Sequence, residues 1–277
     1  MDGIILVNKD SNMTSRDVVN ELTYTFHTKK IGHTGTLDPL ATGVLVICIG
    51  KALKVAEYIT ALEKEYIAEI TLGINTDTLD ITGKVLEEKN VNISESEIDK
   101  VLSSFIGEYD MEVPIYSAVK VNGKRLYEYA RNNIEVELPK KEVTIKEIEL
   151  LEKNNDSFKF KCLVTKGCYI RSLIKDIGIE LNTLATMTDL VRTKQGKISI
   201  EETNNLDEEL TLHSIVDSLD YKQIVVEEDL EKKIVNGMKI PNEFNINDKV
   251  IFLNKDNKLL GIYEVEDNNL RVWKNFN

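Results

Sequence analysis

Gly32-His33-Thr34-Gly35-Thr36-Leu37-Asp38-Pro39-Leu40-Ala41-Thr42-Gly43, near the start of the chain, gathers conformational specialists around one carboxylate. Pro39 biases Asp38 toward extended backbone, and Gly35 and Gly43 permit turns that bulkier residues resist. A carboxylate held in such a loop can be aimed into a cleft, where it is a candidate nucleophile or charge-stabilising group. The plainer alternative is a solvated Asp-Pro turn, because loops rich in Asp, Pro and Gly are ordinary. A phosphate-binding reading of Gly43 to Lys51 fails on spacing and chemistry. Six residues separate its glycines instead of four, Ala52 stands where Ser or Thr is needed, and the residues between form an apolar run.

No other cluster points to a metal. The cysteines, Cys48, Cys162 and Cys168, are odd in number and lack paired short spacing with nearby histidines, so they read as reduced thiols in or near the core. His27 and His213 receive no role. The 277 residues, 42% hydrophobic, allow one large domain or a catalytic domain with a small appendage. No apolar run approaches the roughly 18 to 20 residues of a membrane span. The N-terminus lacks the basic flank and length of a signal peptide, so a soluble, cytoplasmic protein is expected. Charge argues against a nucleic-acid partner at first sight, because 35 basic against 47 acidic residues leave a net of -12. The local field differs: between residues 120 and 131, Lys120, Lys124, Arg125 and Arg131 face Glu128 alone.

The elements that must position Asp38 follow from periodicity. Ile4 to Val7 reads as a buried strand. After a cap at Thr14 or Ser15, Val18, Val19, Leu22 and Phe26 recur at helical spacing. The continuous apolar run from Val44 to Ile49 suits a strand buried on both faces. Tyr66, Ala68, Ile70 and Leu72 alternate as a strand, as do Phe158, Phe160, Cys162 and Val164, and Ile170, Leu173, Ile174, Ile177 and Leu181 mark a helix. Ser94 and Glu97 predict a capping box for a helix whose buried face is Ile98, Val101, Leu102, Phe105 and Ile106, stopped by Gly107. Asn122-Gly123 predicts a type I′ hairpin carrying the basic residues on a projecting ribbon. Past about residue 220 short strands separated by polar turns predict a small β-rich appendage.

At these residues a family resemblance becomes specific. The stretch from Gly32 to Gly43 resembles the catalytic signature of the TruB family of tRNA pseudouridine synthases. Further matches follow in the family's order. Lys64-Glu65-Tyr66 is similar to its Lys-x-Tyr segment, and Thr76 to Gly83 to its next loop. Tyr116 to Arg131 resembles an RNA-contacting insertion, Lys166 to Leu173 the start of the active-site helix, and Leu190-Val191-Arg192-Thr193 a late substrate-contacting strand. The resemblance covers residues 4 to 200, and beyond 220 it is weak. Two departures occur: the family's Lys-Pro-x-Gly is here Lys9-Asp10-Ser11-Asn12, and its Pro-Pro before Tyr-Ser-Ala is Val113-Pro114.

The resemblance implies an α+β fold, a mixed, largely antiparallel central sheet flanked by helices. It implies a catalytic domain over 1–220, an RNA-contacting insertion at about 112–135, and a PUA-like domain over 221–277. It implies isomerisation of uridine to pseudouridine at position 55 in the T-loop of tRNA, with the base flipped into a pocket. Asp38 would be the nucleophile, Arg171 its ion-pair partner, Tyr66 the ring stacked on the uracil, Tyr169 a second contact and Leu190 an apolar surface beneath the base. His33 would hold the remodelled RNA loop, with Lys9, Lys120, Lys124 and Arg125 as further RNA contacts. No cofactor, no metal and no obligate protein partner are implied, and the protein would act as a monomer. Two rivals stand beside this reading. One is a non-catalytic RNA-folding module, the other a glycosidic-bond hydrolase that keeps Asp38 but lets water complete the reaction.

Overall fold

A computed structural model describes residues 1–277. Strand β1 (Gly3–Lys9) leads through helix α1 (Ser15–Thr25) to β2 (Ile31–His33) and β3 (Thr42–Ile49). A 3-10 turn (Gly50–Val55) and α2 (Ala56–Ala61) precede β4 (Lys64–Leu72), the hairpin of β5 (Ile74–Thr76) and β6 (Val85–Glu88), α3 (Glu95–Ser104) and β7 (Gly107–Glu112). The insertion carries β8 (Lys120–Val121), β9 (Lys124–Arg125) and α4 (Leu126–Arg131). Next come β10 (Lys140–Lys153), β11 (Ser157–Val164), α5 (Ile170–Glu180), β12 (Ala185–Gln195) and β13 (Ile198–Ser199). The remaining chain forms β14 (Lys222–Val225), α6 (Glu228–Val235), β15 (Ile240–Pro241), β16 (Lys249–Leu253), β17 (Leu259–Glu266) and β18 (Asn269–Asn275).

The main sheet runs β1-β3-β12-β4-β11-β10-β7, with β2 added to β3 and β13 to β12. Every pairing in it is antiparallel except β3 with β12, so the sheet is mixed and largely antiparallel, as expected. Strand β3 is buried on both faces, and its alternation shows why. Leu45, Ile47 and Ile49 join the core beneath α1, α3 and α5, which supply Val18, Leu22, Ile98, Leu102, Leu173 and Ile177. Val44, Val46 and Cys48 point the other way, into a second core completed by Ile251, Ile262 and Phe276 of the C-terminal region. That region is a separate five-stranded sheet, β14-β16-β17-β18-β15, and hydrogen bonds from Lys51 to the Phe276 carbonyl (2.5 Å) and from Lys54 to the Asn275 carbonyl fasten it to the 3-10 turn.

Local chemistry accounts for most boundaries. Thr14 caps α1 with Asp17, and Ser94 caps α3 with Glu97, both as reciprocal capping boxes. Asn122 and Gly123 adopt φ of 49° and 82°, the two left-handed residues a type I′ turn requires. Three details differ from the sequence reading. Ile106 is 53% exposed, because α3 ends at Ser104 and turns its last apolar residue outward. The basic ribbon is only two residues long on each side, and Leu126, directly after it, is buried at the start of α4. Where only short strands and polar turns were expected past residue 220, Glu227 to Glu231 form the cap and first turn of a helix, α6, and their negative charge meets the helix dipole.

The parallel pairing of β3 with β12 brings Gly43 opposite Arg192, with φ of 96° at the glycine. A Cβ there would lie 2.3 Å from the Arg192 carbonyl oxygen, which is backbone and cannot yield. Gly43→Ala should therefore lose at least about 2 kcal/mol, the left-handed cost plus the clash. The check is the urea midpoint, and an unchanged midpoint would mean that β12 moves freely away from β3.

Candidate active site

Asp38 and Arg171 are 133 positions apart in sequence and form a two-pronged ion pair. Arg171 Nε donates to Asp38 Oδ2 at 2.8 Å and Nη2 to Oδ1 at 2.9 Å, the fork-to-fork geometry that fixes a carboxylate's plane. Arg171 sits in the first turn of α5 and is 5% exposed, so it is not the exposed face residue that an amphipathic helix would allow. Its other donors are satisfied by the carbonyls of Thr78 (2.9 Å) and Tyr116 (3.1 Å). Asp80 stands beyond, its Oδ2 3.9 Å from Arg171 Nη1, while its Oδ1 accepts from Thr78 Oγ1, Thr82 N and Thr82 Oγ1. Leu79 between them takes φ of 62°, a conformation unfavourable for a leucine that this packed loop imposes.

The Asp38 loop is clamped from outside. Ser15 Oγ accepts from Leu37 N at 2.8 Å, Asn12 N donates to the Pro39 carbonyl at 2.8 Å, and Lys9 Nζ reaches that same carbonyl at 3.4 Å. From the sheet side Arg192 Nη2 donates to the Gly35 carbonyl at 3.1 Å, and Gln195 Nε2 to Thr34 Oγ1 at 2.9 Å. The carboxylate is left 32% exposed on a loop whose backbone is held at both ends.

Asp38, Tyr66, Tyr169, Arg171 and Leu190 line one cavity of about 440 Å³. Tyr66 and Leu190 come from the neighbouring strands β4 and β12, Tyr169 from the residue before α5. Lys9, His33, Lys120, Lys124 and Arg125 lie outside the lining. Lys9 is wholly buried and donates to the carbonyls of Asp10, Met13 and Pro39, so it braces the Asp38 loop instead of meeting a ligand. His33 ends β2, and burial beside Arg192 and Arg16 lowers its pKa, which favours the neutral imidazole. The basic hairpin reaches the cavity indirectly. Arg125 donates to the Tyr127 hydroxyl at 2.9 Å and lies 5.8 Å over its ring, and Tyr127 is in the lining.

Burial raises the Tyr66 phenol above its ordinary value against the opposing pull of Arg192, and raises Tyr169 against Ser117 and Arg171. Both shifts favour the neutral phenol. Arg192, Lys64, Ser117 and Tyr127 also line the cavity, although spacing alone gives none of them a role. A charged residue alternating inward on a strand, as Arg192 does in β12, was the one signal available.

A sequence profile described as "TruB family pseudouridylate synthase (N terminal domain)" matches residues 24–170. "tRNA pseudouridine synthase B" of Fusobacterium nucleatum subsp. nucleatum is 41% identical over 282 residues, covering 98% of each chain. The protein of the same name from Clostridium kluyveri is 40% identical over 290 residues, with 100% of both chains covered. The chain belongs to the TruB family. It is accordingly a pseudouridine synthase, an isomerase that converts uridine to pseudouridine. A Cbf5-Nop10-Gar1 complex and an H/ACA RNP bound to a substrate RNA containing 2′-deoxyuridine share the fold, each with a TM-score of 0.74 over 99% of this chain and 84% or 85% of theirs, at 22% and 21% identity.

Behind the Asp38 loop of this TruB-family site, buried Lys9 carries a pH signature. Burial lowers Lys9 from 10.5 to about 8. Between about pH 8 and 10.5 the unfolded chain then binds the proton that the folded one has released, so Lys9 makes stability rise with pH across that window. Urea unfolding of Lys9→Met should show a shallower rise than wild type between those values. Parallel curves would mean that Lys9 titrates alike in both states.

Proposed function

We propose that this TruB-family enzyme acts on the uridine at position 55 in the T-loop of tRNA, flips it into the cavity and uses Asp38 as the nucleophile. The observation that carries this reading is the Asp38 carboxylate, held by two hydrogen bonds from a buried Arg171 and facing a cavity walled by Tyr66 and Leu190. Relatives that match over their full length bear the name tRNA pseudouridine synthase B, which supports tRNA as the RNA.

The reaction breaks the N1 to C1′ bond, turns the uracil and joins C5 to C1′, with no net redox change and no atom added. A carboxylate at C1′ can hold the sugar while the base turns, as in retaining glycoside chemistry. Arg171 places its positive charge against that carboxylate and fixes its plane through two hydrogen bonds. Unstacking the base costs a few kcal/mol, offset by stacking on Tyr66 and contact with Leu190. Lys120, Lys124 and Arg125 are exposed on the insertion and suit RNA phosphates, and His33 would support the remodelled loop. In this reading the protein works alone, as a monomer in the cytoplasm; no helix in it is long and apolar enough to cross a membrane.

The decisive assay is chemical labelling of pseudouridine in one unmodified tRNA, read by mass spectrometry. Wild type should modify position 55, and a transcript carrying cytidine there should gain nothing. Asp38→Asn should abolish turnover while tRNA affinity stays within about tenfold, roughly 1.4 kcal/mol. Pseudouridine formed by Asp38→Asn would remove the nucleophile assignment.

Binding should weaken steeply with salt despite the net charge of -12. Neutralising Lys124 and Arg125 together should flatten the plot of log affinity against log salt by about one unit for each phosphate left without its cation. A slope equal to wild type would move the RNA path off the hairpin.

A further inference from the structure

The cavity is cationic in an acidic protein. Its lining holds Lys64, Lys141, Lys166, Arg171 and Arg192 but a single carboxylate, Asp38, already paired with Arg171. Lys141 and Lys166 are exposed and suit phosphates. Arg192 is different. It is 1% exposed, the largest fully buried side chain in the protein, and has no carboxylate within ion-pair distance. Two carbonyl oxygens accept from it, Val44 at 2.6 Å through Nε and Gly35 at 3.1 Å through Nη2, and Nη1 makes no hydrogen bond. A buried guanidinium without a counter-charge is costly to keep. Its position suggests what retains it. Arg192 is the direct cross-strand partner of Tyr66, so the two side chains share one face of the sheet, and both line the cavity.

We propose that Arg192 is a positioning residue for the departing base: it donates to the Tyr66 oxygen, turns the phenolic proton toward the uracil, and supplies the positive field that accepts the ring's negative charge. The inference rests on the reading of this cavity as a uridine site. When the N1 to C1′ bond breaks, its electron pair stays on N1 and the uracil leaves as an anion spread over its carbonyl oxygens. When C5 joins C1′, the C5 proton is released, N1 takes up a proton and the charge disappears. The counter-charge is thus needed only between the two bonds, in line with a guanidinium left unpaired in the free enzyme. It also assigns the Tyr66 hydroxyl as a hydrogen-bond donor to the anion instead of a proton-abstracting base.

The test uses leaving-group acidity, which a merely structural role would not alter. Single-turnover rates are measured for wild type, Arg192→Gln and Arg192→Lys on tRNA carrying uridine or 5-fluorouridine at the target, following loss of the nucleoside, alongside tRNA binding. Arg192→Gln should slow the uridine reaction by about 100- to 1,000-fold, the scale of one preorganised donor. Its defect should be at least about tenfold smaller on 5-fluorouridine, whose ring carries negative charge more readily, and Arg192→Lys should fall between. Equal defects on the two bases overturn the proposal. Should both variants fail to fold, wild type decides through competition by free bases. 5-Nitrouracil, ionised at neutral pH, should displace tRNA at lower concentration than neutral uracil, and equal competition is equally fatal. A wild type that modifies no tRNA would instead defeat the reading of the cavity itself.

Discussion

One buried guanidinium organises the site. Arg171 can satisfy its planar set of donors only if the Asp38 loop, the loop carrying Thr78 and Asp80, and the first residues of the insertion all converge on it. Each of those segments lies outside the named strands, and only the Asp80 segment has a bridge to a strand, pairing with Met187 of β12. An arginine taken out of water must find such acceptors or destabilise the fold by several kcal/mol. The ion pair is therefore as much a folding constraint as a chemical one. It ties α5 to the segment between β2 and β3, so that the helix cannot dock without shaping the cavity.

The rest of the scaffold keeps that convergence from relaxing. Ser172 Oγ donates to the Glu112 carbonyl at 2.7 Å, Lys175 pairs with Glu112 at 2.9 Å, and Tyr109 bonds Asp176, so α5 is pinned to β7 along its length. On the opposite flank the parallel pairing of β3 with β12 sets Gly43 against the Arg192 backbone and closes the other end of the Asp38 loop. A carboxylate between two such fixed walls has little freedom to follow a substrate. The substrate must be brought to it, which fits a target base delivered from outside its own stack.

Much of the scaffold was legible locally. The double-sided apolar run of β3, the Ser94 and Glu97 box, the alternation of Phe158 to Val164 and the Asn122-Gly123 turn are each written within ten residues, and each formed. What spacing could not show is long-range. Nothing in the periodicity of α5 distinguishes a buried Arg171 from an exposed one, because its burial depends on a loop 133 positions earlier; only the family resemblance singled it out. Lys9 was expected to meet substrate, and instead its ammonium is consumed by three backbone carbonyls that no sequence pattern announces. Arg192 lay inside a recognised segment without a role, since its meaning comes from the strand opposite. Helix α6 was missed because its acidic first turn reads equally well as a solvated cluster.

The second core has a consequence for synthesis. Ile4, Leu6, Val44 and Val46 leave the ribosome early, yet the side chains that cover them, among them Ile251, Ile262 and Phe276, are made long afterwards. In that interval this face of β1 and β3 lacks part of its apolar cover, and uncovered apolar strand surface invites strand-to-strand aggregation. The nascent protein thus carries a half-dressed sheet until the last strands arrive.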